Sequence, residues 1–501
     1  MKKKVMLLTA MSLCAGILSS AFLANCNNGK NKGDNHRYNI VLIVADALRF
    51  DIPGCYGGDA RTPNIDRLAE NGTLFENAYS TAPCTESAVV AIFTGNYSSC
   101  YKVINTKKRL KGSKRIYSYY VNDSAKLPAE ILKEMDFDVR MEVENGIATR
   151  SNHLQGFETL RHFEQMSKEE VAFVEKTIGI STAEWEDGSK LHHVYNVLHY
   201  LLTAPDDKNF FLMKWFMDPH MPFTPVNKFK SGIVVDAAKL PEKIDFYSTK
   251  RDINFRGIQK RRKITGYEYY YLKELYKAEV TSVDERIGFI LKALESRNLL
   301  DSTYVIFTSD HGELFGEKGR RGHGTYLDEP LIHVPFIIAG PGIPKGKRVK
   351  SRISHLALMP ALMDLLQVKQ PGKMQGKSFE PLLQEKASRD VPLFFDGNST
   401  NLLANRSSYA LIINDYKLIA NRENEIDRYE LYNLTDDQAE KNNIFEKYPD
   451  VMKRMLQDMA DFRKKNEALR KYNLSKIDKK VDLSEEWEKT RQTLKALGYI
   501  D

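Results

Sequence analysis

The chain has few cysteines, only a small excess of positive charge, and no long apolar run after its N-terminal segment. Five cysteines among 501 residues are too few for a fold built on disulfides. The 74 Lys and Arg residues exceed the 66 Asp and Glu residues by 8, which permits an anionic substrate but falls short of a nucleic-acid signature. An apolar content of 42% excludes a disordered tail and supplies a sizeable core.

The N-terminus has the pattern of an export signal, because a basic start at residues 2–4 precedes an apolar run from Val5 to about Ala24. The stretch Leu23-Ala24-Asn25-Cys26 resembles a bacterial lipobox, in which Cys26 would carry the lipid. Plain secretion and a retained membrane anchor are the alternatives. We predict a lipoprotein signal over residues 1–26 and a polar tether over residues 27–37. The body would then be exported to the periplasm or cell surface and held to a membrane by the lipid.

Continuous apolar runs that end just before polar clusters predict buried strands of a largely parallel sheet. Three such runs are 39–45, 210–216 and 304–308, and segments 61–71 and 87–93 have helical patterns. Strands that alternate with helices predict an α/β fold, with a large mixed, mostly parallel sheet flanked by helices. In such sheets the functional site lies at the carboxyl ends of the strands.

The character of the sequence changes near residue 390. Short strand-like pieces at 409–413 and 416–419 precede a charged helical tail at 449–497. We predict an α/β domain over residues 38–389, which would carry the site, and a smaller C-terminal α+β subdomain with a helical tail over residues 390–501.

Acidic and imidazole side chains follow the predicted strands directly. Asp46 follows the first strand, and the pair Asp310-His311 follows the third. Oxygen and imidazole donors together suit one divalent cation such as Mn, Zn, Mg or Ca.

The remaining polar groups near strand and helix ends suit ester chemistry. Thr85 precedes a helix, and a hydroxyl at the positive end of a helix beside a metal is an activated nucleophile. His220 and His323 could neutralise a transferring anion or protonate a leaving oxygen. These residue types describe metal-assisted hydrolysis or transfer of a phosphate or sulfate ester.

From about residue 38 to the end, the chain resembles the sulfatase family of the alkaline phosphatase superfamily. The motifs that carry the resemblance occur in the family's order: Thr62–Ala69 (TPNIDRLA), Phe75–Tyr79 (FENAY), Met217–Phe223 (MDPHMPF), Ser309–Glu313 (SDHGE), Gly322–Tyr326 (GHGTY) and Glu430–Leu434 (ELYNL). The resemblance implies an alkaline-phosphatase-like sheet and an enzyme that hydrolyses sulfuric or phosphoric esters.

The resemblance also implies roles for matching positions. Asp46, Asp310 and His311 would hold one divalent metal, with Thr85 also touching it. His220 and His323 would contact the ester oxygens or protonate the leaving group. Arg49 would lie near the anion. One departure is Ala47, which stands where sulfatases often have a second acid, and this weakens the case for calcium.

A second departure concerns the nucleophile. Most sulfatases convert a Cys or Ser within a C/S-x-P-x-R signature to formylglycine, but after Cys84 this chain has Glu86 and Ala88 where Pro and Arg are needed. The family's nucleophile lies ten residues before the Gly of its closing Thr-Gly, and counting back from Gly95 reaches Thr85. Formylglycine is therefore not expected. A threonine resembles the unmodified nucleophile of phosphodiesterases and phosphotransferases in the same superfamily.

We therefore predict a metal-dependent hydrolase that acts through Thr85 and a covalent intermediate on a phosphate diester, phosphate monoester or phosphonate, or on a sulfate ester. The substrate group would sit on a glycan, a lipid or a small molecule, and no nucleic acid would be bound. Alternatives are a sulfuric ester hydrolase such as a glycan sulfatase, a transferase with the same residues, and an inactive cell-surface binding protein on this scaffold.

Overall fold

The protein is described by a computed structural model that covers residues 38–105, 117–120, 126–149, 152–181, 185, 189–241, 264–370, 372, 374–384, 391–397, 406–423 and 426–475. The predicted signal over residues 1–26, the tether over residues 27–37 and the lipidation site Cys26 lie outside these residues. Within the described ranges, no helix combines the length and the apolar character that a membrane crossing would need.

The strands, numbered in chain order, are β1 (Asn39–Ala45), β2 (Gly72–Phe75), β3 (Ala78–Tyr79), β4 (Lys102–Asn105), β5 (Tyr117–Tyr120), β6 (Asp138–Val143), β7 (Glu158–Thr159), β8 (Phe210–Phe216), β9 (Thr303–Ser309), β10 (Leu314–Phe315), β11 (Arg321–Gly322), β12 (His333–Val334), β13 (Phe336–Ala339), β14 (Lys347–Val349), β15 (Ile353–Ser354), β16 (Leu393–Asp396), β17 (Arg406–Ile413), β18 (Tyr416–Glu423) and β19 (Ile426–Asn433). The α-helices are α1 (Pro63–Glu70), α2 (Thr85–Thr94), α3 (Pro128–Glu134), α4 (Lys168–Ile178), α5 (Ser189–Thr203), α6 (Asn227–Lys230), α7 (Gly266–Ser296), α8 (Glu329–Ile332), α9 (Leu358–Leu365), α10 (Glu380–Leu383) and α11 (Pro449–Ser475).

An eight-stranded sheet forms the centre of the molecule, in the order β14-β2-β13-β9-β1-β8-β6-β7. Five of its seven neighbouring pairs are parallel, and only β13 runs antiparallel to both of its neighbours. The predicted mixed, mostly parallel sheet is therefore confirmed. Because β1 lies between β8 and β9, the three predicted strands are adjacent and their carboxyl ends meet at one edge.

The two faces of β1 are covered by different helices. Val41 and Ile43 pack into a core with side chains of α1, α5 and α7, whereas Leu42 and Val44 pack into a second core with α2, α3 and α9. Successive side chains of a strand point to opposite faces, so burial on both faces explains the unbroken apolar run that predicted this strand.

The C-terminal residues form a four-stranded antiparallel sheet, in the order β16-β17-β18-β19. One face packs on α11, with Leu411 and Leu418 against Met455 and Met459. The other face packs on the main body through a core that includes Ile412 and Leu331. The predicted C-terminal α+β arrangement is confirmed in its described part. The described residues from Tyr38 onward belong to one compact unit, and the division between 389 and 390 stays a prediction.

His153, which lies in the second core beside α2, is expected to make stability depend on pH. Burial lowers the pKa of His153 from 6.5 to about 4, and its ring contacts the Ala148 carbonyl oxygen at 2.9 Å. Between pH 4 and pH 6.5 the unfolded chain binds a proton that the folded chain excludes, so stability falls as the pH falls. Across this window the folded protein loses about 3 kcal/mol of stability through His153.

Urea unfolding of His153→Gln at several pH values tests this effect. The dependence of unfolding free energy on pH in that window should become shallower by about 1.4 kcal/mol per pH unit. The exposed His162 supplies the control, because His162→Gln should leave the dependence unchanged. An identical slope in wild type and His153→Gln would contradict the assignment.

Candidate active site

The carboxyl ends of β1 and β9 bring three of the predicted metal ligands together. Ala45 pairs with Ser309 in the sheet, so the residues that follow, Asp46 and Asp310, are neighbours. Asp46, Asp310 and His311 are fully buried, and one ligand atom from each lies within 4.8 Å of the others. Among the described residues, this is the one cluster of carboxylate, imidazole or thiol groups arranged to hold a metal ion.

Each carboxylate in this cluster has one oxygen in hydrogen bonds and one without a hydrogen-bond partner. Asp310 Oδ1 accepts from the backbone N–H groups of Ala47 and His311, at 3.0 and 2.9 Å. Asp46 Oδ2 accepts from Asn145 Nδ2 and, at 3.1 Å, from Trp215 Nε1. The other oxygens, Asp46 Oδ1 and Asp310 Oδ2, are buried without a partner, which is costly for a carboxylate unless a cation is present.

His311 completes the donor set. Its Nδ1 lies 2.9 Å from the Gly312 carbonyl oxygen, so this nitrogen carries the hydrogen and Nε2 presents a lone pair. That Nε2 lies 3.4 Å from Asp310 Oδ2 and 4.0 Å from Asp46 Oδ1. Two carboxylate oxygens and one neutral imidazole fit a divalent cation. Burial, and then the charge of Asp310, raise the pKa of Asp46, and a bound cation would offset both effects.

Two residues that hold Asp46 were not predicted from the sequence. Asn145 is the second residue after β6, so the strand-end argument used for Asp46 could have found it. Trp215 lies inside the buried strand β8, where an apolar run gives no sign that its indole N–H donates to a ligand. Such supporting hydrogen bonds fix the orientation of a metal ligand.

The turn after β1 is held by Tyr276 on α7. Ala47 has a φ of 59°, a left-handed conformation that costs an L-residue roughly 1–2 kcal/mol, and this turn directs its N–H to Asp310. The buried Tyr276 hydroxyl donates to the Ala47 carbonyl oxygen at 2.7 Å and accepts from the Arg49 N–H at 2.9 Å. Tyr276 therefore stabilises the strained turn that orients Asp310.

Tyr276→Phe is expected to weaken metal binding by about tenfold, because the turn loses both hydrogen bonds while the ring remains. Titration with Mn²⁺ measures the affinity directly. The matched control is Tyr200→Phe on α5, which removes a tyrosine hydroxyl that donates to Asp138 at 3.0 Å. Both variants should lose about 1 kcal/mol of stability, but only Tyr276→Phe should lose metal affinity. Equal affinities would argue against this role of Tyr276.

Thr85 lies beside the three residues of the carboxylate and imidazole cluster. It is the first residue of α2, is 4% exposed, and its Oγ1 lies 3.3 Å from His311 Nε2. The N-terminus of a helix carries partial positive charge, which stabilises an oxygen anion there. Cys84 is the preceding capping residue; it is buried and does not belong to the metal cluster. Glu86 follows Thr85 and is half-buried.

His220 and His323 also reach this edge of the sheet. The ring of His323 lies 4.5 Å from that of His311 and 4.9 Å from that of His220, measured between centroids. His323 Nδ1 lies 3.0 Å from Glu313 Oε2, and His220 Nδ1 lies 2.7 Å from the Met221 carbonyl oxygen. In both rings these contacts occupy Nδ1. Glu313 lies in the Ser309–Glu313 motif, but no role was predicted for it from the sequence.

Arg49 lies close to the cluster, but its guanidinium contacts protein carboxylates. It donates to both Asp51 oxygens at 2.8 Å and to Glu317 at 2.5 Å. A third contact is the Glu313 carbonyl oxygen at 3.2 Å. These contacts brace the loop after β1, and the predicted contact of Arg49 with an anion stays a prediction.

Asp218, which precedes His220 by two residues, is held by cations and is not part of the metal cluster. Arg286 binds it at 2.5 Å and Lys190 at 3.0 Å. Asp218 therefore anchors the loop that carries His220.

Comparison with known proteins identifies the family of the chain. The family model described as Sulfatase matches residues 38–368, about two thirds of the chain. The chain belongs to the sulfatase family. A second model, described as N-sulphoglucosamine sulphohydrolase, C-terminal, matches residues 322–465. The predicted family and the prediction of an ester hydrolase are therefore confirmed, and sulfatases generally bind a divalent metal.

Relatives in the sulfatase family cover most of the chain. N-acetylglucosamine-6-O-sulfatase of Bacteroides thetaiotaomicron is 24% identical in an alignment that covers 89% of this chain and 90% of that protein. Arylsulfatase K of Mus musculus is 24% identical in an alignment that covers 93% of this chain and 87% of that protein.

Two solved structures share the fold at low identity. A putative sulfatase from Bacteroides thetaiotaomicron has a TM-score of 0.67 at 19% identity, covering 86% of this chain and 93% of its own. The phosphonate monoester hydrolase of Agrobacterium radiobacter has a TM-score of 0.63 at 19% identity, covering 86% of this chain and 96% of its own. The fold thus serves proteins named for sulfate esters and for phosphonate esters.

Proposed function

We propose that this sulfatase-family enzyme hydrolyses phosphate or phosphonate esters, with Thr85 as the nucleophile and one divalent cation at Asp46, Asp310 and His311. The observation that carries the proposal is the position of Thr85. Its hydroxyl oxygen lies 3.3 Å from the ligand nitrogen of His311, whereas Cys84 lies outside the cluster. A cation bound there would stabilise negative charge on the Thr85 oxygen and on an ester oxygen.

The residues of the chain account for the rest of the reaction. The Thr85 hydroxyl loses its proton to solvent and its oxygen forms a bond to phosphorus, while the bond from phosphorus to the leaving oxygen breaks. The leaving oxygen takes a proton from His323 or His220. Water then attacks phosphorus and gives one proton back to that histidine, the bond from phosphorus to Thr85 breaks, and the Thr85 oxygen takes a proton from solvent.

Glu313 supports His323 as the proton donor. A buried carboxylate 3.0 Å from Nδ1 holds the hydrogen on that nitrogen and stabilises the charged ring. Arg49 would add a positive charge near the anion, although Asp51 and Glu317 balance much of that charge.

Threonine favours phosphorus over sulfur for a chemical reason. A formylglycine hydrate has a second hydroxyl that expels sulfate from the intermediate, and threonine has none. The absence of Pro at 86 and Arg at 88 also argues against conversion of Cys84.

Sulfate ester hydrolysis is the second candidate, and one observation favours it. The N-acetylglucosamine-6-O-sulfatase of Bacteroides thetaiotaomicron aligns over 89% of this chain. A sulfated glycan would then be the substrate class.

We further propose that the protein is exported and anchored by a lipid on Cys26. The support is the basic and apolar pattern of residues 1–26 and the lipobox-like stretch before Cys26. Membrane fractionation of wild type and Cys26→Ala tests this proposal, and a Cys26→Ala protein that remains in the membrane fraction would contradict it.

A substrate panel tests the proposed chemistry. The purified protein is assayed on 4-nitrophenyl phosphate, bis(4-nitrophenyl) phosphate, 4-nitrophenyl phenylphosphonate and 4-nitrophenyl sulfate, each with Mn²⁺, Zn²⁺, Mg²⁺ and Ca²⁺. Turnover of a phosphorus ester, with an unmodified Cys84 by peptide mass spectrometry, is the expected result. Turnover of the sulfate alone, with an aldehyde at residue 84, would replace the proposal with the second candidate.

A further inference from the structure

We propose that the C-terminal sheet positions His323 for catalysis, through buried and partly buried ion pairs that hold both ends of the segment that carries this histidine. This segment, residues 316–329, is called the His323 segment below. The proposal rests on the proposed role of His323 as a proton donor. It assigns to Glu430, Lys417 and Glu440 the role of positioning residues that act through His323.

The backbone of the His323 segment needs support from outside. Gly322 and Gly324, on either side of His323, have φ values of 72° and 90°, and Lys318 has a φ of 49°. Glycine loses more conformational freedom on folding than any other residue. A segment with this backbone does not fix the place of an imidazole by itself.

The N-terminal part of the segment is tied to β19 and to the loop after it. Arg320 donates to Glu430 Oε1 on β19 at 2.7 Å. The Lys318 ammonium lies 3.0 Å from Glu440 Oε2 and 4.2 Å from the centre of the Tyr432 ring.

The C-terminal part of the segment is tied to the same sheet. Lys417 on β18 binds Glu329 at 2.9 Å and Glu440 at 2.6 Å, and all three side chains are at most 3% exposed. The Glu329 N–H also donates to Glu440 Oε2 at 3.2 Å. Arg320 joins the two ends, because it also binds both oxygens of Asp328 at 2.7 and 2.9 Å.

Charged side chains of the segment depend on the C-terminal sheet for their ion-pair partners. Lys318 and Arg320 face three carboxylates, those of Asp328, Glu430 and Glu440. Lys417 from the sheet supplies a third cation, which binds Glu329 and Glu440. Buried charges that lose a partner are strongly unfavourable, so the segment would have to move to regain contacts or water.

Movement of the segment would act on His323 through Glu313. Glu313 lies between β9 and β10, outside the segment, and its Oε2 contacts His323 Nδ1 at 3.0 Å. The main body also holds the segment, because Arg321 and Gly322 pair with β10 and the Gly324 N–H donates to the Pro83 carbonyl oxygen at 2.7 Å. The ion pairs to the C-terminal sheet add to these contacts, so losing them would shift the imidazole relative to the Glu313 carboxylate without releasing the segment. The metal ligands lie on the loops after β1 and β9 and do not depend on these ion pairs.

The experiment compares Glu430→Gln with Asp427→Asn on the same strand. Asp427 faces Arg422 across the β18–β19 hairpin at 3.6 Å, and both side chains are about half exposed, so this variant removes an acid without touching the segment. Rates are measured on phenyl phosphate and 4-nitrophenyl phosphate, with the corresponding sulfates in parallel. Phenolate is the poorer leaving group, so its ester depends more on a proton donor.

Glu430→Gln is expected to lower kcat for the phenyl ester by about tenfold and to change the 4-nitrophenyl ester much less. KM and Mn²⁺ affinity should stay unchanged, and Asp427→Asn should match wild type. In a His323→Ala background, Glu430→Gln should cause no further loss, because a positioning residue acts only through the group it positions.

Other outcomes overturn the proposal in distinguishable ways. Wild-type rates in Glu430→Gln, together with a large loss in His323→Ala, would reject the positioning role and leave the proposed function standing. Equal losses from Glu430→Gln with and without His323 would show a general structural effect. Full activity of His323→Ala would reject the proton-donor role in the proposed function and the positioning role with it.

Discussion

Thr85→Ala is expected to lower turnover of the best ester substrate by roughly 10³- to 10⁶-fold, the loss that follows removal of an enzyme nucleophile. The hydroxyl is placed at the N-terminus of α2 and 3.3 Å from His311 Nε2, and an alanine leaves no atom there to attack phosphorus. Mn²⁺ affinity should remain within about tenfold of wild type, because the two carboxylates and the imidazole are untouched. Initial rates and a metal titration measure the two effects separately.

Two matched variants decide between the possible nucleophiles. Thr85→Ser keeps the hydroxyl and should retain activity within about tenfold, whereas Cys84→Ala removes only the neighbouring thiol and should leave the rate near wild type. Rapid quenching followed by peptide mass spectrometry should find a phosphoryl group on residue 85 in wild type and in Thr85→Ser. Full activity of Thr85→Ala, with activity lost in Cys84→Ala, would reject Thr85 as the nucleophile.

Asp310→Asn is expected to weaken divalent metal binding by at least about 100-fold while it stabilises the metal-free protein. The asparagine oxygen can accept from Ala47 and His311 as Asp310 Oδ1 does, so the turn is kept. The NH₂ group of the asparagine then occupies the position of Oδ2, and it has no lone pair to offer to a cation. The negative charge that repels Asp46 is also removed.

Urea unfolding with EDTA and with Mn²⁺ separates these opposite effects. In EDTA, Asp310→Asn should be more stable than wild type, because the charge that opposes ionisation of the buried Asp46 is gone. In Mn²⁺ at 100 times the wild-type dissociation constant, wild type should gain about 2.7 kcal/mol and the variant much less. Asp301→Asn, an exposed acid just before β9, is the control and should change neither value. A variant less stable than wild type in EDTA would contradict the charge repulsion.

The hydrophobic pattern and the order of the motifs predicted the central strands and the position of the site from the sequence. The run from Asn39 to Ala45 is apolar at every position except the first, because both faces of β1 are buried, and this identified a central strand. Adjacent parallel strands end at the same edge of a sheet, so the acids after β1 and β9 could be placed together before any coordinates were known. Thr85 was placed through the resemblance to the sulfatase family, whose nucleophile lies ten residues before the Gly that matches Gly95.

Only the tertiary structure decided which groups support the site, because those contacts join residues that are far apart in the chain. The contact from Trp215 to Asp46 spans 169 positions, and the contact from Tyr276 to Ala47 spans 229. Neither residue type distinguishes a supporting hydrogen bond from ordinary core packing. The partners of Arg49 also come from a distant part of the chain. The sequence predicts that Arg49 lies near the anion, but in the structure its guanidinium binds Glu317.

The sequence by itself determined the family, the central sheet and the residues that meet at its edge, since each depends on local period, spacing or motif order. The structure decided the orientation of those residues: which oxygen of Asp46 and of Asp310 faces the cluster, which nitrogen of His311 presents its lone pair, and which sheet holds His323. Orientation is set by hydrogen bonds and ion pairs between distant segments, and those partners are chosen only when the chain is folded.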